Sequence, residues 1–225
     1  MKQFIVEFMG TPGAGKSSIC RALNELNISG LGMTALSSHV GLMAKLFRRT
    51  RIDYLVSTAS LWTKYRDSPY VKSGTLEMYI DALCKAETQI HVERMRRKAL
   101  VRNLIEHLRI RDGGSGVFVL DEGLAHRGVS ALLSGVPRRI IEQHYTYMPL
   151  ADLYVQVDID RAIATARLEQ RDGNDWRRVK VEDFQHAIER IQQRGRPILR
   201  VNGGRSPHET AMTVSREVLA HVNCL

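Results

Sequence analysis

Eight residues near the beginning of the chain have the types and the spacing of a loop that binds phosphate. Residues 10–17 read Gly-Thr-Pro-Gly-Ala-Gly-Lys-Ser, which fits the pattern G-x-x-x-x-G-K-[ST] without a mismatch. The glycines permit backbone torsions that are closed to other residues, so that successive N–H groups can turn inward and contact phosphate oxygens. An apolar run precedes the loop at residues 4–9, and a segment compatible with a helix follows at residues 18–26. This order of strand, loop and helix predicts a P-loop, or Walker A motif.

The two polar side chains at the end of the loop have distinct chemistry. Lys16 is expected to reach the β- and γ-phosphates of ATP, and the Ser17 hydroxyl is expected to bind Mg²⁺. The predicted nucleotide-binding set is Gly10, Thr11, Pro12, Gly13, Ala14, Gly15, Lys16, Ser17 and Ser18. The alternative is a glycine-rich turn that fits the pattern by accident, and the flanking strand and helix argue against it.

Two carboxylates follow a second apolar strand. Residues 117–120 read Val-Phe-Val-Leu and lead directly into Asp121 and Glu122. Since ligands of open parallel sheets lie beyond the carboxyl ends of the strands, both acids should face the P-loop. Asp121 is predicted to hold Mg²⁺ with Ser17, and either acid could position the acceptor or take its proton. The alternative for Asp121 is a helix N-cap, and His126 is interpreted as a packing or solvent-facing residue rather than a base.

A third segment carries two arginines with helical spacing. Arg167 and Arg171 are four residues apart, so on a helix they share a face and can converge on one anion. Such arginines can neutralise the charge of a phosphoryl group in transfer, and the polar loop at residues 172–178 could close beside them as a lid. The alternative is a pair of surface arginines, with Glu169 and Asp172 as ion-pair partners.

Apolar, β-rich segments alternate with helical ones along the chain. The predicted strands are at residues 3–9, 116–121, 152–157 and 198–201, with a weaker one at 32–36. This alternation predicts an α/β fold with a mostly parallel sheet of about five strands flanked by helices. Residues 76–111 have a helical pattern almost throughout, in which we expect a break. Ser206 and Glu209 have the spacing of a capping box, with Pro207 at the first helical position, which predicts a last helix to about Val222.

Length and charge indicate the organisation and the partners. With 225 residues, of which 44% are apolar and 25% charged, a single domain over residues 1–225 is expected. Residues 41–112 hold 15 Lys/Arg against 8 Asp/Glu and thus most of the net charge of +9. Such a surface favours an anionic partner, although solvated helix faces would have the same composition. A small anionic molecule is favoured over nucleic acid, because the aromatic residues here are scattered rather than interleaved with arginines.

Cysteine usage and hydropathy bear on the cellular compartment. The cysteines Cys20, Cys84 and Cys224 are far apart and odd in number, which gives neither a disulfide framework nor metal-binding spacing. No apolar run approaches the roughly 18 residues that a spanning helix needs. We therefore expect a cytoplasmic protein with reduced thiols, without a leader peptide and without a membrane partner.

Together these features resemble the P-loop nucleoside monophosphate kinases, and the thymidylate kinase-like branch most closely. The likeness covers the P-loop, the strand-end Asp121 and the R-x-x-x-R pattern of Arg167 and Arg171. It also covers the strand, turn and helix around residues 201–207. The resemblance implies a P-loop kinase with ATP and Mg²⁺ as cofactors.

The resemblance has further implications for site and substrate. In that family the last turn lies beside the adenine, which implies that Asn202, Arg205 and Pro207 line a base pocket. It implies a helical acceptor-binding subdomain within residues 37–112 and a lid at residues 160–180. The expected reaction is transfer of the γ-phosphate of ATP to a hydroxyl or a phosphate of a small, anionic, nucleotide-like acceptor. A homodimer is left open.

Two departures from the family pattern leave the acceptor undetermined. Thymidylate kinases have Asp-Arg-Tyr where this chain has Asp-Glu-Gly at residues 121–123, so the family's arginine is missing there. Arg127, one or two helical turns further on, could replace it. The segment 40–112 matches no pattern of the family. A polynucleotide end kinase and a nucleotide-dependent regulatory ATPase whose basic helices bind a partner therefore stay open as alternatives.

Overall fold

The sheet and its helices are described by a computed structural model over residues 3–26, 33–36, 66–86, 90–113, 115–172 and 181–223. Within these residues the strands form one five-stranded sheet in the order β2-β3-β1-β4-β5. The strands are β1 (Gln3–Met9), β2 (Met33–Leu36), β3 (Gly116–Leu120), β4 (Leu153–Asp158) and β5 (Ile198–Asn202). All four strand pairs are parallel, which confirms the predicted α/β architecture.

Helices connect the strands and cover both faces of the sheet. They are α1 (Lys16–Glu25), α2 (Pro69–Lys72), α3 (Thr75–Ala86), α4 (Ile90–Gly113), α5 (Leu124–Leu133), α6 (Arg138–Tyr147), α7 (Arg161–Asp172), α8 (Val181–Gln193) and α9 (Pro207–Asn223). The long helical pattern at residues 76–111 is thus divided between α3 and α4. Parts of the predicted acceptor subdomain (residues 37–65) and of the predicted lid (residues 173–180) lie outside the described residues.

The central strand β1 is apolar on both sides because a core lies on each face of the sheet. Phe4, Val6 and Phe8 pack with α1 and α9 in one core. Ile5 and Met9 point the other way, into a core built with α2 to α6 and α8. The period of two in a strand accounts for this division, and it places Glu7 on the second face. Glu7 is fully buried there.

Buried polar side chains hold the beginning of α5 in this second core. Among the described residues, four such side chains donate to carbonyl groups in its first turn or to that of Glu122, two residues before it. The donors are Asn103 Nδ2 to Glu122 O (2.6 Å), His144 Nε2 to Leu124 O (2.9 Å), Tyr145 Oη to Ala125 O (3.1 Å) and Tyr79 Oη to Arg127 O (2.6 Å). Burial lowers the pKa of His144 from 6.5 to about 4, so this imidazole is neutral at physiological pH. These contacts fix the segment that follows β3 against α3, α4 and α6.

Candidate active site

The P-loop turns tightly against β4 and α7 at the carboxyl edge of the sheet. Gly10 has a φ of 147° and Gly13 a φ of 81°. Residues that carry a Cβ rarely adopt such positive φ values. A Cβ at Gly10 would lie 2.6 Å from the carbonyl oxygen of Val157, and one at Gly13 would lie 2.6 Å from that of Ala164. Both glycines are therefore required by backbone conformation and by close approach. The loop brings its N–H groups to the beginning of α1, where the helix dipole favours an anion.

Lys16 is the first residue of α1 and lies back over the loop. Its Nζ donates to the carbonyl of Gly10 at 2.9 Å and to that of Thr11 at 3.2 Å. Its exposed fraction is 6%, so the ammonium group lies at the floor of the cleft described below. The loop therefore encloses the apolar stem of Lys16, which has packing contacts to lose.

Ser17 and Asp121 meet across the carboxyl ends of β1 and β3. The Ser17 hydroxyl donates to Oδ2 of Asp121 at 2.6 Å. The N-cap of α5 is Gly123, without a capping side chain, so the alternative role of Asp121 as that N-cap is excluded. A hydroxyl and a carboxylate are hard oxygen ligands, and their contact fits Mg²⁺, which takes one or two protein ligands and completes its shell with water and phosphate oxygens. The described residues hold no cluster of three or more His, Cys, Asp or Glu that could bind a metal without a nucleotide.

Glu122 forms a charged pair at the edge of the same cleft. Its Oε2 accepts a hydrogen bond from Arg127 Nη2 at 3.1 Å, and its Oε1 lies 3.4 Å from His126 Nε2. Burial alone would raise the pKa of Glu122, but its interactions with His126, Lys16 and Arg127, the last also through a hydrogen bond, outweigh burial and lower it. Burial lowers the pKa of His126 to about 3, so this imidazole is neutral at physiological pH. Glu122 is therefore an ionised carboxylate held by an arginine.

Arg167 joins the P-loop to the turn after β5. Its Nη1 donates to the carbonyl of Gly13 at 3.3 Å and to that of Gly203 at 3.1 Å. The two backbone segments also touch directly, since a Cβ at Gly203 would lie 2.4 Å from the carbonyl oxygen of Ala14. The backbone of Arg171 is helical in α7, but its side chain lies outside the described residues, so convergence of the two arginines stays a prediction.

The turn between β5 and α9 is held by its own polar side chains. Asn202 Oδ1 accepts a hydrogen bond from the N–H of Gly204 at 2.7 Å. Ser206 and Glu209 form the predicted capping box: Ser206 Oγ accepts from the N–H of Glu209 at 3.2 Å, and Glu209 Oε2 accepts from the N–H of Ser206 at 3.3 Å. This box starts α9 at Pro207 and fixes the turn beside the P-loop.

One cleft of about 430 Å³ contacts most of the predicted site residues. It is lined by Pro12, Gly13, Gly15, Lys16, Ser17, Ser18, Ile19, Glu122, Arg167, Leu168, Gly203, Arg205 and Pro207. The predicted residues Gly10, Thr11, Ala14 and Asn202 do not line it. Asp121 also lies behind the surface and reaches the cleft through Ser17.

Solved structures provide the comparison with known proteins. The chain is similar to deoxyadenosine kinase from M. mycoides with dCMP and a flexible dCDP bound, with a TM-score of 0.51, 14% identity and coverage of 96% of this chain and 100% of that chain. For the same kinase with dATP bound, the TM-score is 0.50, the identity 13% and the coverage 96% and 99%. Thymidylate kinase from Ehrlichia chaffeensis follows with a TM-score of 0.49, 12% identity and coverage of 97% and 100%.

The chain has the fold of a P-loop nucleoside kinase. The likeness spans nearly the whole of both chains, so it includes the sheet and the helices around it. At 13–14% identity it establishes the fold and neither the substrate nor the branch. No family model matches the chain, and no curated protein matches its sequence.

Some residues that contribute to the site or support it lie outside the predicted set. Sequence reasoning missed Glu7 and Leu168, although a lone acid in an apolar strand was a usable signal for Glu7. Among the described helices, none combines the length and the apolar character that crossing a membrane requires.

Proposed function

We propose that the protein is an ATP-dependent phosphotransferase that moves the γ-phosphate of ATP to a small, anionic, nucleotide-like acceptor. The observation that carries this proposal is the Ser17–Asp121 hydrogen bond of 2.6 Å, which lies at the mouth of the P-loop beside Lys16. A P-loop lysine, a metal-binding hydroxyl and a strand-end carboxylate are the parts that phosphoryl transfer from a nucleoside triphosphate needs.

The donor half of the site comprises the P-loop and two segments packed on it. The loop N–H groups and Lys16 bind the phosphates, and Ser17 and Asp121 hold Mg²⁺. When bound, Mg²⁺ neutralises charge on the β- and γ-phosphate oxygens. Arg205 and Pro207 also line the cleft, and by the resemblance to nucleotide kinases they would contact the base of ATP. Arg167, which already bridges the loop and the turn, fixes the distance between phosphate and base subsites.

The acceptor half is formed by Glu122 and Arg127. An ionised Glu122 beside Lys16 can take the proton of an attacking hydroxyl. Arg127 holds this carboxylate, and it can also bind an acceptor phosphate, in place of the arginine that thymidylate kinases carry after the strand-end aspartate. The deoxyadenosine kinase structures contain dCMP and dATP, which makes nucleosides and nucleotides the first acceptors to examine. The lid arginine Arg171 would neutralise the transferring group.

The test is transfer of label from γ-labelled ATP to a panel of acceptors in the presence of Mg²⁺. The panel contains deoxynucleosides, nucleoside monophosphates, a 5′-hydroxyl oligonucleotide and no acceptor. Lys16→Met is the inactive control, and Arg138→Met, at an exposed basic residue of α6 outside the cleft and the acceptor segment, is the matched control with normal activity. Label on a small acceptor, lost only in Lys16→Met, supports the proposal. Label on the oligonucleotide would indicate a polynucleotide end kinase, and release of phosphate alone would indicate a regulatory ATPase.

A further inference from the structure

A carboxyl group lies in the middle of the central strand, where neither the P-loop nor the cleft uses it. Glu7 has an exposed fraction of 0% and lies between Ile5 and Met9 on the face that packs against α5. Burial raises the pKa of Glu7 from 4.5 to about 7, despite the opposing effects of nearby N–H groups and of Arg127. Burying a carboxyl group is unfavourable unless it is hydrogen-bonded, so its presence in an otherwise apolar strand calls for a specific partner.

The partner of Glu7 is the amino end of α5. Oε1 of Glu7 accepts a hydrogen bond from the N–H of His126 at 3.1 Å, across 119 residues of sequence. The first N–H groups of a helix need an acceptor, and the N-cap residue usually supplies it. Here the N-cap is Gly123, which has no side chain to do so. Glu7 therefore supplies the capping oxygen from a different element.

Glu7 and Gly123 also fit each other closely. A Cβ at Gly123 would lie 2.4 Å from Cδ of Glu7 and 2.5 Å from its Oε2. The turn that contains Asp121 and Glu122 thus rests directly on the Glu7 carboxyl group. The carbonyl groups of the same segment accept hydrogen bonds from Asn103, His144, Tyr145 and Tyr79. Glu7 in turn accepts a hydrogen bond from an N–H group of this segment.

We propose that Glu7 is a positioning residue that caps α5 in place of a local acid and so keeps Asp121 and Glu122 available to the cleft. Asp is a favoured N-cap residue and a Glu carboxylate is also stabilised near a helix N-terminus, so without Glu7 either of these two could turn back onto the first N–H groups of α5. With Glu7 in place, Asp121 contacts Ser17 and Glu122 contacts Arg127. The catalytic part of this proposal rests on the proposed phosphotransfer, whereas the capping part does not.

Two substitutions at Glu7 and one control test the proposal. Glu7→Met removes the acceptor at similar volume, and Glu7→Gln keeps an acceptor oxygen. Val129→Ala, on the same helix and fully buried, weakens the packing of α5 without affecting its amino end. The readouts are kcat, the KM for ATP, and hydrogen exchange of the amides of residues 124–126.

We expect Glu7→Met to lower turnover by more than its loss of stability alone would. In Glu7→Met, kcat should fall by about tenfold or more, with the KM for ATP changed by less than about twofold, because the loop and the base subsite are intact. The amides of residues 124–126 should exchange faster, and Glu7→Gln should restore most of both. Val129→Ala should lose stability and keep its kcat.

Two results would overturn the positioning role. One is a Glu7→Met protein with the kcat of Val129→Ala. The other is unchanged exchange of the first-turn amides of α5. If the wild-type protein phosphorylates no acceptor, the proposed function fails on its own, and the exchange measurement still decides whether Glu7 caps α5.

Discussion

The Ser17 hydroxyl and the Asp121 carboxylate are 2.6 Å apart, although 104 residues separate them in the sequence. The contact joins the first turn of α1 to the end of β3, the two elements that flank the phosphate-binding region. Because the parallel pairing of β1 with β3 aligns their carboxyl ends, this contact follows from the topology of the sheet. It places both predicted ligands of Mg²⁺ at one point beside Lys16.

Asp121→Asn should leave the fold intact and remove the charge that holds Mg²⁺. We expect kcat to fall by about 100-fold or more, with partial recovery at high Mg²⁺ concentration, because the remaining oxygen is a weaker ligand. Steady-state kinetics over a Mg²⁺ titration checks this. Glu189→Gln, at an exposed position of α8 outside the cleft, is the control. A fall of less than about threefold would show that Asp121 holds Ser17 and not the metal.

Two substitutions of Lys16 should have the same effect on activity and different effects on stability. Lys16→Ala should abolish transfer, and it should also lose stability, because Lys16 is buried and donates to the carbonyl groups of Gly10 and Thr11. Lys16→Met keeps the apolar stem, so it should be equally inactive and more stable than Lys16→Ala. Activity assays and thermal unfolding of both variants are the measurements. Normal turnover in either variant would remove the kinase interpretation.

Much of the fold was accessible from the sequence because its strongest signals are local. The P-loop pattern fixed the position of β1 and α1, and the apolar run at residues 116–120 located β3. The predicted end of β3 at Asp121 was one residue too long, because Asp121 leaves the strand to meet Ser17. The capping box at Ser206 located the beginning of α9 correctly.

The features that the sequence did not predict depend on distant contacts. Glu7 interacts with a helix that is 119 residues away, and no local pattern connects a strand residue with the amino end of that helix. Gly203 lies in the turn that the resemblance assigns to the base pocket, but its contacts with Arg167 and with the P-loop come from the packing of β5 beside β4. Spacing identified Arg167 as a site residue, but its contacts with two backbone segments come from the tertiary structure.

The close fit of Glu7 and Gly123 predicts strong coupling between them. Gly123 has a φ of −97°, which any residue can adopt, so the barrier to Gly123→Ala is the contact with Glu7 and not backbone strain. Gly123→Ala alone should destabilise the protein by about 1–3 kcal/mol through overpacking. In combination with Glu7→Ala the added methyl group has room, so the double variant should be more stable than the sum of the single changes implies. Urea unfolding of the four proteins measures this coupling, and strict additivity would contradict the observed contact.

The raised pKa of Glu7 predicts a pH dependence of stability. Because burial raises its pKa from 4.5 to about 7, the native state keeps a proton that the unfolded chain loses above pH 4.5. Its contribution to stability is therefore full below about pH 4.5 and is lost as the pH rises to about 7. The buried His126 and His144 have lowered pKa values and act in the opposite sense below pH 6.5, which obscures the effect in the wild-type protein.

A comparison with Glu7→Gln isolates this contribution, since both proteins keep the same histidines. The free energy of unfolding of Glu7→Gln, relative to wild type, should rise by about 3 kcal/mol between pH 4.5 and pH 8. Urea unfolding at the two pH values gives the difference directly. Arg127, Tyr145 and Tyr154 interact electrostatically with Glu7 and are unchanged in the variant. A difference that is independent of pH would mean that Glu7 does not titrate in this range.

The two arginines of α7 should differ in their kinetic effects. Arg167 donates to the carbonyl groups of Gly13 and Gly203, and a lysine lacks the planar group that spans both. Arg167→Lys should therefore raise the KM for ATP by about tenfold, because the phosphate and base subsites lose their common link. Arg171→Lys should instead lower kcat more than it changes this KM, if Arg171 contacts the transferring group. Arg161→Lys, exposed on the same helix, controls for the substitution itself. Near-normal turnover and KM in both variants would show that α7 is a surface helix without a role in the reaction. Only the P-loop, Asp121 and Glu122 would then support phosphotransfer.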